Sequence, residues 1–138
     1  MTLNEAIREG CRVLPQQTED EGACVLRAAA QGADVRSKSI ICPNELPYTE
    51  LVVRFPQLSD TATCPVGRIP GTHTPCIHLH KVYQIMYHLN DTHRWSREAI
   101  AEWVETVELR LESEAAARAN RAIEAVEVTS EVGELATV

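Results

Sequence analysis

Two amphipathic helical patterns meet in residues 79–107, LHKVYQIMYHLNDTHRWSREAIAEWVETV, and this stretch decides the fold. The first pattern ends near Asn90-Asp91, and its apolar residues recur at helical spacing: Val82, Tyr83, Met86 and Leu89. The second pattern begins at Ser96, whose hydroxyl suits the N-cap position of a helix. We therefore expect a helix–turn–helix from Leu79 to Val107, with Trp95 packed on Ile100 as a hydrophobic staple.

The second of these helices continues towards the C-terminus with a single apolar stripe. Its members are Ile100, Trp103, Val104, Val107 and Leu111. Beyond Leu111 alanine and glutamate predominate, so we expect an exposed helix that frays by Thr129 and a disordered segment over residues 129–138. The predicted organisation is one helical domain over residues 1–111 and an acidic extension over residues 112–138.

Two more helices are predicted at the N-terminus. Thr2-Leu3-Asn4-Glu5 has the spacing of a capping box and predicts a helix from residue 3 to about 13, stopped by Pro15. The same spacing recurs at Thr18-Glu19-Asp20-Glu21, before a helix rich in small residues that ends at Gly32. Because small side chains let helices approach closely, we expect the two to form an antiparallel hairpin.

Residues 33–75 contain six of the seven prolines, which allow only short elements. The best predicted strand is Glu50 to Phe55, beside Ser39 to Cys42. The predicted fold class is therefore mainly α: an N-terminal helical hairpin, an irregular middle of loop and β structure containing Cys and His, a C-terminal helix–turn–helix and an acidic tail.

Composition excludes several classes of function. The 138 residues include 13 Lys+Arg and 20 Asp+Glu, a net charge of −7, and no Lys/Arg-rich run offers a surface for duplex nucleic acid. No stretch approaches the ~18 apolar residues of a membrane span, and the N-terminus lacks a signal-peptide pattern. We expect a cytoplasmic protein with a protein partner, without nucleic acid or membrane.

Seven possible metal ligands fall between residues 64 and 93, and the five cysteines of the chain are an odd number that favours thiols or metal over disulfides. One candidate ligand set, called the quartet below, has spacing close to that of zinc modules but without their opening Cys-x2–4-Cys. It consists of Cys64, Cys76, His88 and His93. The alternative set groups Cys64, His80 and either His73 or Cys76.

The start of the helix before His88 distinguishes the two sets. If Pro75 is its first residue, Cys76 and His80 share a face, whereas Cys76 and His88 lie about 18 Å apart, too far for one ion. The quartet therefore requires residues 76–79 to be extended and the helix to begin near His80. Without a metal, these histidines would cap the helix end and the cysteines would be buried as small hydrophobic residues.

Two further interpretations, a thiol enzyme and a DNA-binding helix, each have an argument against them. A Cys76/His80 nucleophile pair with Asp91 as its orienting acid has no local signature, and helical spacing places Asp91 far from His80. Arg94 and Arg97 stand where a recognition helix contacts DNA, but the glutamates that follow on the exposed side would face phosphates. An αα-hairpin that holds the fold together explains this segment better.

The segment HLNDTHRWSREAIAEWVE, residues 88–105, resembles a stretch of small uncharacterised proteins of bacteria and their phages. The likeness extends loosely upstream to an Ala-Ile-Arg-x-Gly helix at Ala6–Gly10, a Gly-Ala-Cys helix at Gly22–Cys24 and a Cys-Pro element. In that family a second Cys often follows two residues after Cys-Pro, whereas this chain has Cys64-Pro65-Val66-Gly67. The resemblance implies a shared fold and a phage or mobile-element origin, hence a host cytoplasm, and no reaction.

These observations favour a non-enzymatic protein-interaction or regulatory factor, with zinc in a structural role as its one candidate cofactor. The first alternative is a structural or assembly protein that forms homo-oligomers through residues 108–127. A metal- or thiol-dependent enzyme that uses the Cys/His cluster ranks third.

Overall fold

The computed structural model describes residues 1–14, 21–41, 45–76 and 80–136. These ranges are mainly helical, with 64% helix, five α-helices and a two-stranded sheet, which confirms the predicted fold class at this level. The α-helices are α1 (Leu3–Val13), α2 (Glu21–Gly32), α3 (Tyr48–Arg54), α4 (Val82–Asp91) and α5 (Arg97–Ala136). A 3-10 helix spans Pro56–Ser59, and the strands are β1 (Thr61–Ala62) and β2 (His80–Lys81).

The chain divides into two compact units, Met1–Glu105 and Thr106–Val138. Within the second unit the backbone is helical to Ala136, and the side chains of residues 112–126 are exposed. The predicted fraying near Thr129 and the predicted disorder beyond it differ from this, because no proline interrupts the segment and a lone glycine costs a helix only about 1 kcal/mol. The predicted domain boundary after residue 111 stays a prediction.

Two glycines let α1 and α2 pack backbone to backbone. Gly10 lies against the main chain of Ala28 and Gly32 against that of Ala6, so closely that a Cβ on either glycine would overlap the facing carbonyl oxygen. The capping box at the start of α1 forms as predicted: the Thr2 hydroxyl accepts from the Glu5 N–H at 3.3 Å, and the Glu5 carboxylate accepts from the Thr2 N–H at 2.9 Å. Residues 18–20 of the second capping spacing lie outside the described residues.

The predicted strand from Glu50 to Phe55 is wrong, because Tyr48–Arg54 is the helix α3. Leu51 and Phe55 are buried, with 1% and 2% exposure, whereas Val53 between them is 78% exposed. A strand would place all three on one face, and only the four-residue step of a helix buries the first two without the third. The described part of its predicted partner, residues 39–41, is not a strand, and Cys42 lies outside the described residues.

The core of the first unit lies among α1 to α4 and the first turns of α5. Burial is provided mainly by aliphatic side chains, with Phe55 as the one fully buried aromatic residue in the described ranges. The largest fully buried side chains are Leu3, Ile7, Leu26, Leu51, Leu58, Ile85, Met86, Leu89 and Ile100.

The β1–β2 pair determines where α4 begins. β1 and β2 are antiparallel, with Ala62 opposite His80, and the Val82 N–H donates to the Asp60 carbonyl at 2.9 Å. The helix therefore starts at Val82 and not at the predicted Leu79, which lies outside the described residues, and it ends at Asp91, close to the predicted end. The predicted N-cap of α5 is present, since the Ser96 hydroxyl accepts from the Ala99 N–H at 3.1 Å.

Candidate metal centre

Cys64 and Cys76 lie at the two ends of a hairpin loop, residues 64–76. At its tip the Thr72 N–H donates to the Ile69 carbonyl at 3.2 Å, and Gly71 has a φ of 72°. Proline before such a glycine is typical of a type II turn, and Pro70 occupies that position. Lower down, the Cys76 N–H donates to the Gly67 carbonyl at 2.8 Å. These bonds return the chain on itself and bring the two cysteines together.

His88 and His93 come from the end of α4 and the turn that follows it. The His93 N–H donates to the His88 carbonyl at 3.3 Å, and the Trp95 N–H donates to the Leu89 carbonyl at 3.0 Å. Arg94 between them, two residues after the C-cap Thr92, is in the left-handed region, with a φ of 58°, which helps to reverse the chain after the helix. This reversal places the His93 ring edge-on to that of His88, with centroids 4.7 Å apart.

The four side chains of the quartet converge on one point. His93 Nε2 lies 3.3 Å from Cys64 Sγ, 3.7 Å from Cys76 Sγ and 3.1 Å from His88 Nε2. His88 Nε2 lies 3.2 Å from Cys76 Sγ, and all four ligand atoms are within 4.8 Å of one another. Two sulfurs and two imidazole nitrogens in this arrangement could hold a metal ion.

Burial acts in opposite directions on the histidine and cysteine ligands. Cys64 is buried and the other three are half-buried. Partial burial lowers the pKa of His88, with smaller contributions from His93 and His80, and so favours the neutral imidazole that can donate a lone pair to a metal. Burial and the neighbouring Cys64 raise the pKa of the Cys76 thiol. A divalent cation between the two sulfurs would offset that cost by stabilising both thiolates.

The structure assembles the quartet and does not assemble the alternative set. His73 is exposed in the hairpin loop, and His80 lies in β2 outside the cluster of four. One part of the geometric condition for the quartet is met, because the helix begins at Val82, after His80. The other part, an extended backbone over residues 76–79, stays a prediction. Residues 77–79 lie outside the described residues.

The residues that position the ligands lie in two turns and are not among the predicted site residues. Gly67 and Gly71 have positive φ angles of 84° and 72°, and Arg94 has one of 58°. The Pro70-Gly71 pair is a recognised turn signal and could have revealed the hairpin. Nothing in the sequence marks Arg94, since arginine rarely adopts this conformation.

No protein-family model, curated protein or solved structure matches the chain. Among the described helices, none combines the length and the apolar character that crossing a membrane requires. The candidate function therefore depends on the geometry of the quartet and of the surfaces around it.

Proposed function

We propose that the quartet binds one Zn²⁺ ion in a closed tetrahedral site. Zinc bond lengths of about 2.3 Å to sulfur and 2.05 Å to nitrogen give tetrahedral edges of about 3.3 Å for N–N and 3.6 Å for S–N. The N–N separation is 3.1 Å, and three of the four S–N separations are 3.2, 3.3 and 3.7 Å. The remaining pairs, Cys64 with His88 and Cys64 with Cys76, lie within 4.8 Å. This agreement is the observation that carries the proposal. Mixed sulfur and imidazole ligands also favour zinc over magnesium or calcium.

The site supports a structural role for the metal. Four protein ligands complete the coordination of zinc, whereas a catalytic zinc has three protein ligands and keeps a position for water or substrate. The contacts of Cys76 Sγ with the imidazoles of His88 and His93 fit a structural zinc and an activated thiol alike. An enzyme stays the third alternative.

A structural ion here would fix an exposed surface. In the segment between the two cysteines, residues 65–75, every residue is exposed except Gly67, which is half-buried. The hairpin therefore has little burial of its own, and the metal would attach its base to the end of α4. It presents two apolar side chains and one cation, Val66, Ile69 and Arg68, on a preorganised backbone.

We therefore infer a non-enzymatic protein-interaction or regulatory factor that uses this metal-fixed hairpin to contact a protein partner in the cytoplasm. The net charge of −7 disfavours nucleic acid as the partner. The resemblance of residues 88–105 to bacterial and phage proteins adds a mobile-element origin to this proposal. The predicted helix–turn–helix and N-terminal helical hairpin serve in it as the scaffold.

Metal analysis with hydrogen exchange tests the zinc site. Protein purified under reducing conditions should contain one equivalent of zinc. Removal of the metal by a chelator should abolish exchange protection at the Ile69 and Cys76 amides, which are hydrogen-bonded in the hairpin. Amides in α1 should keep their protection and serve as the internal control. Metal-free protein with unchanged hairpin protection would refute the zinc proposal.

Affinity capture from the host tests the interaction. We expect the wild-type protein to retain a specific partner that is lost with Ile69→Asp and after chelation, whereas Arg12→Ala, an exposed change on α1, retains it. A partner retained equally by Ile69→Asp would exclude the hairpin as the contact surface. Zinc binding is measured separately, so failure of capture leaves the metal site unaffected.

One observation favours the alternative of a homo-oligomeric assembly protein. Leu109, Ile123 and Val126 in α5 are exposed by 59%, 57% and 68%, and these apolar side chains are available for self-association through residues 108–127. Light scattering distinguishes the two functions, because an assembly protein should not remain monomeric at high concentration. A concentration-independent monomer mass would exclude this alternative.

A further inference from the structure

The first unit, Met1–Glu105, also contains a groove that shares no residue with the quartet. It is a groove of about 550 Å³ between α3, the 3-10 helix and the start of α4, a size within the range typical of small-molecule sites. Its most deeply buried lining residues, Leu26, Leu51 and Leu58, are at most 1% exposed. The other lining residues are Tyr48, Thr49, Val52, Val53, Ser59, Lys81 and Tyr83.

The polar side chains that line the groove comprise one cation and several hydroxyls, and no carboxylate. Lys81 is the only charged residue among the described lining residues, and none of them is acidic. The remaining polar side chains are hydroxyls, on Tyr48, Thr49, Ser59 and Tyr83. An ammonium and several hydroxyl donors beside an apolar surface complement a ligand with one anionic end.

The backbone that carries these groups is well fixed. Lys81 pairs with Thr61 in the sheet, and its N–H donates to the Gln84 side chain at 2.9 Å. The Tyr48 ring packs edge-on to Tyr83, with centroids 6.4 Å apart, and lies 6.3 Å from Tyr87. Burial, and then the neighbouring Tyr83, raise the pKa of Tyr48, so its hydroxyl keeps its proton and can donate at neutral pH.

We propose that this groove binds a small organic acid with an apolar body, either aliphatic or aromatic, and a single carboxylate. The body lies on the accessible lining side chains Val52, Val53 and Tyr83, above the buried Leu26, Leu51 and Leu58, and the carboxylate pairs with the Lys81 ammonium at the edge. A concave site with a buried apolar floor suits a small molecule better than the flat surface of a protein partner. This inference goes beyond the proposed zinc site and does not depend on it.

Matched acids and amides test the proposal on the full-length protein. Octanoate and octanamide, and 4-phenylbutyrate and its amide, are titrated while backbone amide chemical shifts are recorded. The acids should shift amides in α3, the 3-10 helix and residues 80–83, and should bind about three- to tenfold more tightly than their neutral amides, as expected for one partly exposed ion pair.

Substitutions at the edge of the groove identify the carboxylate contact. Lys81→Met should remove the preference for acid over amide and leave amide binding unchanged. Arg12→Met, which removes an exposed cation on α1 that does not line this groove, should retain the preference. Val53→Glu should weaken the acids more than the amides. Absence of saturable binding, shifts elsewhere, or equal affinity for acids and amides in the wild type would each overturn the proposal.

Discussion

At the scale of single residues, His93 is the most informative ligand because its Nε2 contacts all three other members of the quartet. We predict that His93→Ala loses the bound zinc and lowers the free energy of unfolding by about 3 kcal/mol or more, because a structural metal contributes its binding energy to folding. Metal analysis and chemical denaturation measure the two effects.

His80→Ala is the matched control, since His80 belongs only to the alternative ligand set. It should keep one equivalent of zinc. If His80→Ala loses the metal and His93→Ala keeps it, the alternative set is the true site, whatever the distances within the quartet.

Gly10 gives a second prediction at this scale. Replacing an exposed mid-helix glycine by alanine normally stabilises a protein by about 0.5–1 kcal/mol. Here the new Cβ would overlap the Ala28 carbonyl oxygen, so we expect Gly10→Ala to destabilise the protein by about 1–3 kcal/mol. Thermal or urea unfolding measures the change.

The neighbouring exposed Glu9→Ala is the control for Gly10→Ala, because it changes helix composition without entering the contact between α1 and α2. It should change stability by no more than about 0.5 kcal/mol. A stabilising effect of Gly10→Ala would show that the two helices are further apart than the structure has them.

At the scale of elements, the turn between α4 and α5 depends on the left-handed backbone of Arg94, whose φ is 58°. Arg94→Gly should leave stability unchanged or raise it by up to about 1 kcal/mol, whereas the β-branched Arg94→Val should lower it by about 1–2 kcal/mol. Because the same turn positions His93, the valine variant should also bind zinc more weakly, which a competition titration with a chelator would detect. Equal zinc affinity in the two variants would show that the backbone conformation of residue 94 does not influence zinc binding.

The elements that could be predicted from sequence are those with a local code. The capping box at Thr2 and the N-cap at Ser96 both form, because each needs only residues within one helical turn. The strand predicted over Glu50 to Phe55 failed because Leu51, Val53 and Phe55 alternate like a half-buried strand. The local sequence does not distinguish the three, and it is packing in the fold that buries Leu51 and Phe55 and leaves Val53 exposed.

The candidate site could be predicted only as two alternative sets for a similar reason. Pro75 is a good first residue for a helix, so local rules permitted both starts. The structure instead places Pro75 in an isolated bridge with Arg68 and starts α4 after the β1–β2 pair. Both pairings join residues distant in sequence, and no local pattern encodes them.

At the scale of the whole molecule, burial and charge are distributed unequally along the chain. The buried side chains of the described residues lie at or before Val107, and every side chain from residue 112 to 126 is exposed. Residues 106–138 contain seven glutamates and three arginines, so this unit is acidic as well as exposed. Such a segment contributes charge and solubility more than folding energy.

Truncation tests that distribution. Removing residues 127–138 should leave the midpoint of thermal unfolding unchanged, because the side chains that precede the cut, over residues 112–126, are exposed and bury no apolar surface. The far-UV circular dichroism signal of helix should fall only in proportion to the residues removed. A cooperative loss of stability, with a smaller mass by light scattering, would instead mean that the end of α5 is buried between copies of the chain, and the assembly alternative would then replace the interaction factor.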